Sequence, residues 1–460
     1  MLPGIGVFGG GQLVRVLVAC LRAKGFKVEA IWSHSLACGI GKHVLCDCPP
    51  ALSLPQMLAM KRAALNYPTL ITILFNTLRF LPSFIKMKKL IADGFVGQIN
   101  VINCNVFGDS LQAQEMAREL DIKLATDVID KVLLEPSVQL IVIACPPHLH
   151  EQIATKACGI GKHVLCDCPP ALSLPQMLAM KRAALNYPTL ITILFNTLRF
   201  LPSFIKMKKL IADGFVGQIN VINCNVFGDS LQGLDNYSIV CDDLMGGGLL
   251  STVGTHIIDI ISFVTGLRAK RVNGCVRNYH QIKDNVFGLR RITSDDFVTF
   301  QMEMRNSLSI ANVTLNAHYF GTSIHEILIC GSKGYLVCRS GDLYGRPLTS
   351  TKEEILCSDS EDMSENNHTL SAKNILPKPY GSGLLRMLSA LKNAFQCSPD
   401  SEVINGDNGL RNEEKIFHWA KEAVSLAANF EDGLYIQQVI EAIKYSSKNS
   451  EWIRIKSDLN

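Results

Sequence analysis

The sequence predicts an α/β protein whose first half is a doubly wound parallel sheet and whose second half is rich in strands. Three observations carry that reading. Apolar runs suited to buried strands alternate with helical segments, a glycine cluster sits between the first strand and the first helix, and a later series of alternating apolar and polar residues is broken by glycine turns.

The elements follow in order. "IGVF" is a strand, and "QLVRVLVACLRAKG" is a helix with Gly25 at the left-handed position that ends it; "KVEAIW" is the second strand. Further on, "QEMAREL" is a helix, "VQLIVIAC" a buried strand, "HEQIATKACGIG" a helix and "KHVLCD" another strand. Parallel strands joined by helical crossovers give the doubly wound arrangement, with right-handed connections.

One block interrupts this alternation. Residues Ala37 to Gln112 are identical to Ala157 to Gln232, 76 residues repeated at an offset of 120. Two undiverged copies are not a solenoid, whose units drift as their surroundings differ. Removing the first copy lets strands and helices alternate without a break, so the second copy is assigned to the sheet. The expected organisation is a nucleotide-binding unit of 1–36 and 113–203, an insert of 37–112 and a second domain of 204–460. The insert brings "HVLCD" and "LITILFN", pieces whose slots the second copy fills. Three accounts of it stay open: a duplication in the gene or its assembly that adds nothing, a surplus subdomain on the rim of the sheet, or a segment that exchanges with its twin.

Composition bounds the function. The chain has 460 residues, 48% hydrophobic and 19% charged, enough for two cores. A net charge of +4 with scattered basic residues argues against nucleic acid and membrane as partners. Sixteen cysteines include no CxxC pair and no zinc-type Cys/His spacing, so free thiols in a reducing compartment are expected. The N-terminus lacks a basic leader and Arg15 breaks its apolar run, which favours the cytoplasm, while sequons at Asn236, Asn312 and Asn367 keep secretion open. No run reaches the ~18 uninterrupted apolar residues of a membrane span.

Gly9, Gly10, Gly11, Gln12 and Leu13 occupy the strand-to-helix turn, where backbone N–H groups and the helix dipole cradle a pyrophosphate. Gly9 and Gly11 match the first two glycines of G-x-G-x-x-G, with Val14 in the third place. The second strand runs into Ser33 where an acidic residue would hold the ribose 2'-hydroxyl of NAD, and His34 stands beside it. A 2'-phosphate is better tolerated there, so NADP is favoured over NAD. Cys145, Pro146, Pro147 and His150 read as a loop flanking the cofactor; His148 and His150 lack a third partner for a metal. Asp242, Asp243, Asp295 and Asp296 read as turn or cap residues rather than an acid pair.

With "CPPHLHEQIATKACGIGKHVLCDCPPALSL" and "GGGLLSTVGTHIIDIISFVTG" the chain resembles the Gfo/Idh/MocA oxidoreductases. The resemblance implies an N-terminal Rossmann domain followed by an α/β domain with an open, mainly antiparallel sheet that carries the substrate face and mediates homo-oligomerisation. "INVINCNVF", "AKRVNGCVRNYH", "DDFVTFQMEM", "SLSIANVTLNAHY" and "HEILICGSKGYLVCR" are strand-like, "EDMSENNHTLSA" is a polar loop, and "DGLYIQQVIEAIKYSS" is an amphipathic closing helix. It further implies a sugar-like ligand and a role with matrix proteins outside the cell.

Active members carry Glu-Lys-Pro where this chain has Asp167, Cys168 and Pro169. They carry a motif near GGGxxxDxGxHxxD where this chain has Gly246, Gly247, Gly248, Thr252, Gly254, His256 and Asp259. By that resemblance the catalytic lysine is Cys168, the catalytic aspartate is Thr252, and only His256 remains as a base. A positioned acid/base group is worth about 10²- to 10⁴-fold in rate, so activity is expected to be low or absent. The alternative is a working oxidoreductase on a sugar or polyol hydroxyl with His256 as base. His256 also fits a hydrogen-bonded core histidine, and Cys168 fits an inert buried thiol better than a nucleophile.

Overall fold

The computed structural model describes residues 4–8, 12–32, 44–47, 72–75, 124–126, 128–228, 239–285, 288–319, 323–359, 378–396 and 420–456. "QEMAREL", "EDMSENNHTLSA", the sequons at Asn236 and Asn367, and most of the first repeat copy lie outside them.

The first domain is built on β1 (Gly4–Phe8), β2 (Lys27–Trp32), β5 (Leu124–Thr126), β6 (Val138–Ile143), β7 (His163–Cys166) and β8 (Thr192–Leu194). They form one sheet in the order β5-β2-β1-β6-β7-β8, and every pairing is parallel. Counting only these strands, this is the Rossmann order, with its switch point between β1 and β6. β7 is buried along its whole length and β6 almost so, which is why "VQLIVI" and "HVLC" read as continuous apolar runs. Helix α1 (Gln12–Ala23) covers one face, and α2 (Ile129–Leu133), α3 (His150–Gly159) and α4 (Leu174–Asn186) cover the other.

The repeat copies part company here. Among the described residues, β3 (Val44–Asp47) and β4 (Thr72–Phe75), from the first copy, pair only with each other, in parallel. Their register, Val44↔Thr72, is that of Val164↔Thr192 in the second copy. The second copy's strands enter the large sheet because α3 delivers them directly from β6. The first copy emerges from β2, on the far side of β1, so identical residues reach a different place.

The second domain opens with α5 (Pro202–Ala212) and β9 (Ile219–Phe227), then a π-helical turn, Leu250–Gly254, that continues into α6 (Thr255–Thr265). β10 (Ala269–Arg277), the hairpin β11 (Ile282–Asn285) and β12 (Gly288–Arg291), β13 (Phe297–Met304) and β14 (Ile310–Asn316) follow. β15 (Ile324–Gly331), β16 (Gly334–Arg339), β17 (Asp342–Pro347) and β18 (Glu354–Cys357) come next, and β19 (Ile453–Arg454) closes the chain. Nine strands join in the order β18-β17-β16-β15-β9-β14-β13-β10-β19, antiparallel throughout except for β9 with β14.

Alternate side chains, among them Val298, Phe300, Met302, Val313 and Leu315, pack under α5, α6 and the closing helix, α8 (Phe430–Asn449). The opposite face is polar: Gln301 donates to Asn312, and Asn312 donates to Asn223, so the amide of this sequon is held at both ends. The stretch Asp243–Thr265 is apolar enough by length and composition to cross a membrane, with mean hydropathy 1.4, yet 78% of its apolar window is buried inside the protein. It is the core helix of this domain. The eleven cysteines whose side chains are described are free thiols.

A further helix, α7 (Lys378–Gln396), comes late in the chain but packs on the first sheet. Leu384, Leu385, Met387, Leu388 and Leu391 bury against Ile5, Val7, Leu140, Val142 and Leu165, beside α1. Gly383 permits this: a Cβ there would lie 2.2 Å from the Thr197 carbonyl oxygen. Leu388 is fully buried in this interface, so Leu388→Ala is expected to lower the unfolding free energy by about 2–5 kcal/mol. Urea denaturation reads this directly; an unchanged midpoint would mean that α7 does not hold the sheet.

Candidate active site

In a doubly wound sheet the ligand crevice lies beyond the carboxyl ends of the strands at the switch point. Here β1 ends at Phe8 and α1 begins at Gln12, at the position where a helix N-terminus receives a phosphate. Gly9, Gly10, Gly11, Ser33 and His34 lie outside the described residues, as do the side chains of Gln12 and Leu13.

The next two loops are tied together by His150. It is buried, with Nε2 2.7 Å from the Cys145 carbonyl, after β6, and Nδ1 3.1 Å from the Pro169 carbonyl, after β7. Burial lowers its pKa to about 4, so at pH 7 the ring is neutral and its single N–H donates to one of the two carbonyls while the ring packs between the loops. Cys145 is buried and its thiol is pushed up to about 12. Pro146 and Pro147 are half-buried at the crevice edge, and His148 is exposed.

Asp167 accepts from the Cys168 amide at 2.8 Å, and burial raises its carboxyl to about 6. The Cys168 thiol donates to Asn196 Oδ1 at 3.4 Å. Burial, then the charges of Asp167 and Asp259, push this thiol well above its ordinary range. It is not a thiolate and not a nucleophile at neutral pH.

Asn196, just past β8, is buried, and its Nδ2 lies beside Asp259 without completing a hydrogen bond. Arg199 follows on a 3₁₀ turn and grips Asp259 with two hydrogen bonds, Nε–Oδ2 at 2.8 Å and Nη2–Oδ1 at 2.5 Å. The same guanidinium reaches Asp432 at the start of α8, at 3.1 Å, and lies over the Phe263 ring. Burial opposes the Arg199 charge, but the two carboxylates outweigh it and raise its pKa. The last aspartate of the glycine motif is therefore a structural anchor for α6.

The glycines serve the start of that helix. At Gly248, with φ +97°, a Cβ would lie 2.3 Å from Asp295 Oδ1. Without it, Asp295 Oδ2 accepts from the Leu250 amide at 2.8 Å and caps the turn. Burial lifts this carboxyl to about 6. Asp242 similarly accepts from the Leu244 amide, and Asp243 pairs with Lys444. The cap reading thus fits Asp242 and Asp295.

Thr252 donates its hydroxyl to the Gly248 carbonyl at 2.7 Å, which removes it from chemistry. His256 sits on the first turn of α6 with its ring edge-on to Tyr380 of α7, centroids 5.2 Å apart. Its Nδ1 is buried and has no hydrogen-bond partner among the described residues. Burial, and secondarily His325, lower its pKa to about 4. Tyr380 also stands edge-on to His325 at 5.8 Å, and the Tyr380 hydroxyl and His325 Nε2 are likewise buried without partners among the described residues. A neutral imidazole with an open nitrogen can accept a hydrogen bond or proton from a hydroxyl. At the Cys168 position it has no cationic neighbour to stabilise developing charge. Sequence reasoning missed Tyr380, His325 and Arg199. Only Tyr380 left a signal, the helical spacing of Leu384, Leu388 and Leu391 just after it.

The arrangement suits a nicotinamide dinucleotide. The strand order builds its crevice, the loops on either side of His150 line the crevice, and the buried Asn196 amide lies next to Cys168.

Known proteins share sequence and fold with this chain. The family model described as oxidoreductase family, NAD-binding Rossmann fold, matches residues 102–193, and that of the GFO/IDH/MocA C-terminal domain matches 204–337. Glucose-fructose oxidoreductase domain-containing protein 2 of Xenopus tropicalis is 34% identical over 452 residues, covering 98% of this chain and 93% of that protein. Glucose-fructose oxidoreductase domain-containing protein 1 of Mus musculus is 33% identical over 455 residues, covering 99% and 93%. Among solved structures, a levoglucosan dehydrogenase in complex with NADH and L-sorbose aligns with a TM-score of 0.64 at 15% identity, over 99% of this chain and 100% of that one.

Acid sensitivity follows from the buried histidines. His150, His163, His256 and His325 are each held near 4, below the ~6.5 of an unfolded histidine, so their stabilising contribution is present above ~6.5 and lost as pH falls towards 4. Asp167 and Asp295, raised to about 6, act in the opposite sense but are half as many. The urea midpoint is expected to fall between pH 7 and pH 5; a rise would contradict the burial of these rings.

Proposed function

The chain belongs to the Gfo/Idh/MocA oxidoreductase family, with the glucose-fructose oxidoreductase domain-containing proteins among its relatives, and on that premise we propose that it binds NADP and performs little or no dehydrogenase chemistry. The support for the second half is the state of two positions. Cys168 is a protonated thiol bonded to Asn196, and the Thr252 hydroxyl is bonded to Gly248. Cys168 supplies no positive charge to a developing substrate alkoxide, and Thr252 supplies no carboxylate to orient or polarise the base.

Backbone amides of Gly9 to Leu13 would hold the pyrophosphate, Ser33 and His34 the ribose 2'-phosphate, and the Cys145–Pro147 and Asp167–Cys168 loops the nicotinamide end. When bound, a nicotinamide supplies the hydride acceptor or donor. NADP rather than NAD is favoured by the missing acidic residue at Ser33. A sugar-like ligand fits the neighbourhood of His256, by analogy with the L-sorbose held by the structural neighbour. The protein then acts as a ligand-binding or scaffolding member of its family, self-associating through the open sheet. The free thiols favour the cytoplasm; assembly of extracellular matrix is the role suggested if the chain is secreted.

One specific observation favours a second reading. His256 is neutral at pH 7 with a free Nδ1, so it can serve as the base of a residual sugar or polyol oxidoreductase. Calorimetric titration with NADPH and NADH, followed by a panel of sugars and polyols, separates the two. The expected result is binding, tighter for NADPH, without turnover. Turnover that His256→Ala lowers by about 10²- to 10⁴-fold would support the second reading instead. Failure of both nucleotides to bind would remove the shared premise.

A further inference from the structure

The three side chains His280, Asp296 and His318 come together at one end of three neighbouring strands. In the sheet, Arg277 at the end of β10 pairs with Phe297 at the start of β13, and Phe297 pairs with Asn316 at the end of β14. His280 lies just past the first strand, Asp296 just before the second and His318 just past the third. Backbone bonds fix the corner: Asp296 donates to the Arg277 carbonyl, and Ala317 donates to the Asp296 carbonyl, both at 3.0 Å.

The Asp296 side chain is fully buried, and its orientation is set by main-chain donors, Tyr279 N to Oδ1 at 2.9 Å and His280 N to Oδ2 at 2.7 Å. Both histidines converge on it, His280 Nδ1 at 3.0 Å from Oδ2 and His318 Nε2 at 3.3 Å from Oδ1. The two rings are stacked, centroids 4.7 Å apart and 13° from parallel, so one ring must turn out of the stack for both in-plane nitrogen lone pairs to meet one ion; Tyr279 stands edge-on to His318. One ligand atom from each residue can be chosen so that all lie within 4.8 Å of one another. With metal–ligand bonds of 2.0–2.1 Å, the edge of a tetrahedron is about 3.3 Å; the histidines stand at 3.0 and 3.3 Å from different oxygens of the one carboxylate, so an ion must draw the three ligand atoms, now within 4.8 Å, closer together. The side chains of His280 and His318 remain 36% and 26% exposed, so an ion can reach them from solvent.

We propose that His280, Asp296 and His318 bind a divalent first-row transition ion of the zinc type, through two imidazole nitrogens and one carboxylate. The site is structural. His280 stands at the root of the hairpin β11–β12, and the chain returns from that hairpin at Ile292, whose amide donates to Gln281 O at 2.9 Å. An ion here pins the hairpin to the sheet. It also fixes Asp296 next to Asp295, the residue that caps the His256 helix.

Cobalt, a spectroscopic substitute for zinc, tests this on the full chain after removal of metals with EDTA. The sixteen cysteines are the competing ligands, and thiolate coordination betrays itself by intense near-ultraviolet charge transfer. The expected result is one equivalent of cobalt with tetrahedral visible bands and no thiolate band. His280→Ala and His318→Ala should each weaken binding by about 100-fold or more, beyond the effect of losing an outer-shell partner. Circular dichroism in EDTA verifies that each variant is folded; if His318→Ala is not, the more exposed His280→Ala decides. No visible bands, a thiolate spectrum, or unchanged affinity in a folded variant would overturn the proposal.

Discussion

The geometry of the candidate site depends on one buried ion pair, Arg199 with Asp259. Arg199 sits just beyond the last strand of the first sheet, Asp259 on the helix that carries His256, and Asp432, the third member, at the start of the closing helix. Removing one partner of such a pair typically costs about 3–5 kcal/mol, because the survivor is left charged in a dry interior. The pair's contribution here is positional. It sets the distance between the loop bearing Cys168 and the helix bearing His256, and its carboxylate helps keep the Cys168 thiol protonated.

Much of this was legible in the sequence. The alternation of "VQLIVIAC", "HEQIATKACGIG" and "KHVLCD" gave the parallel sheet, because buried strands need apolar residues on both faces. The strand-like runs of the second half likewise marked the mixed, mainly antiparallel sheet. The caps at Asp242 and Asp295 were readable because a short carboxylate side chain outside a strand or helix commonly accepts from nearby backbone N–H groups. Arg199 was not, since its partners lie 60 and more than 200 residues away and "NTLRF" shows no local reason for a charge. The α7 helix was readable from its leucine spacing, but nothing local says that a helix so late in the chain covers the first sheet. Identical copies cannot be told apart by their own residues; the chain preceding each one decides which strands join the sheet.

On the proposed function, the site binds more than it turns over. His150 fixes the two loops, Thr252 serves the backbone, and Cys168 replaces a cation with a neutral donor. Yet the electrostatics of a catalytic site persist around that thiol. Asp167 and Asp259, which hold the Cys168 proton in place, would equally favour the charge of an ammonium group.

That persistence makes restoration the most direct test. The double substitution Cys168→Lys with Thr252→Asp returns the two missing groups beside an unchanged His256. Initial rates of NADPH formation from NADP on a sugar and polyol panel are compared with those of the unaltered protein, in preparations that bind the nucleotide equally. The account predicts a gain of about 10²-fold or more on at least one substrate. An unaltered protein that already turns over a substrate, at a rate the restored groups do not raise, would contradict it.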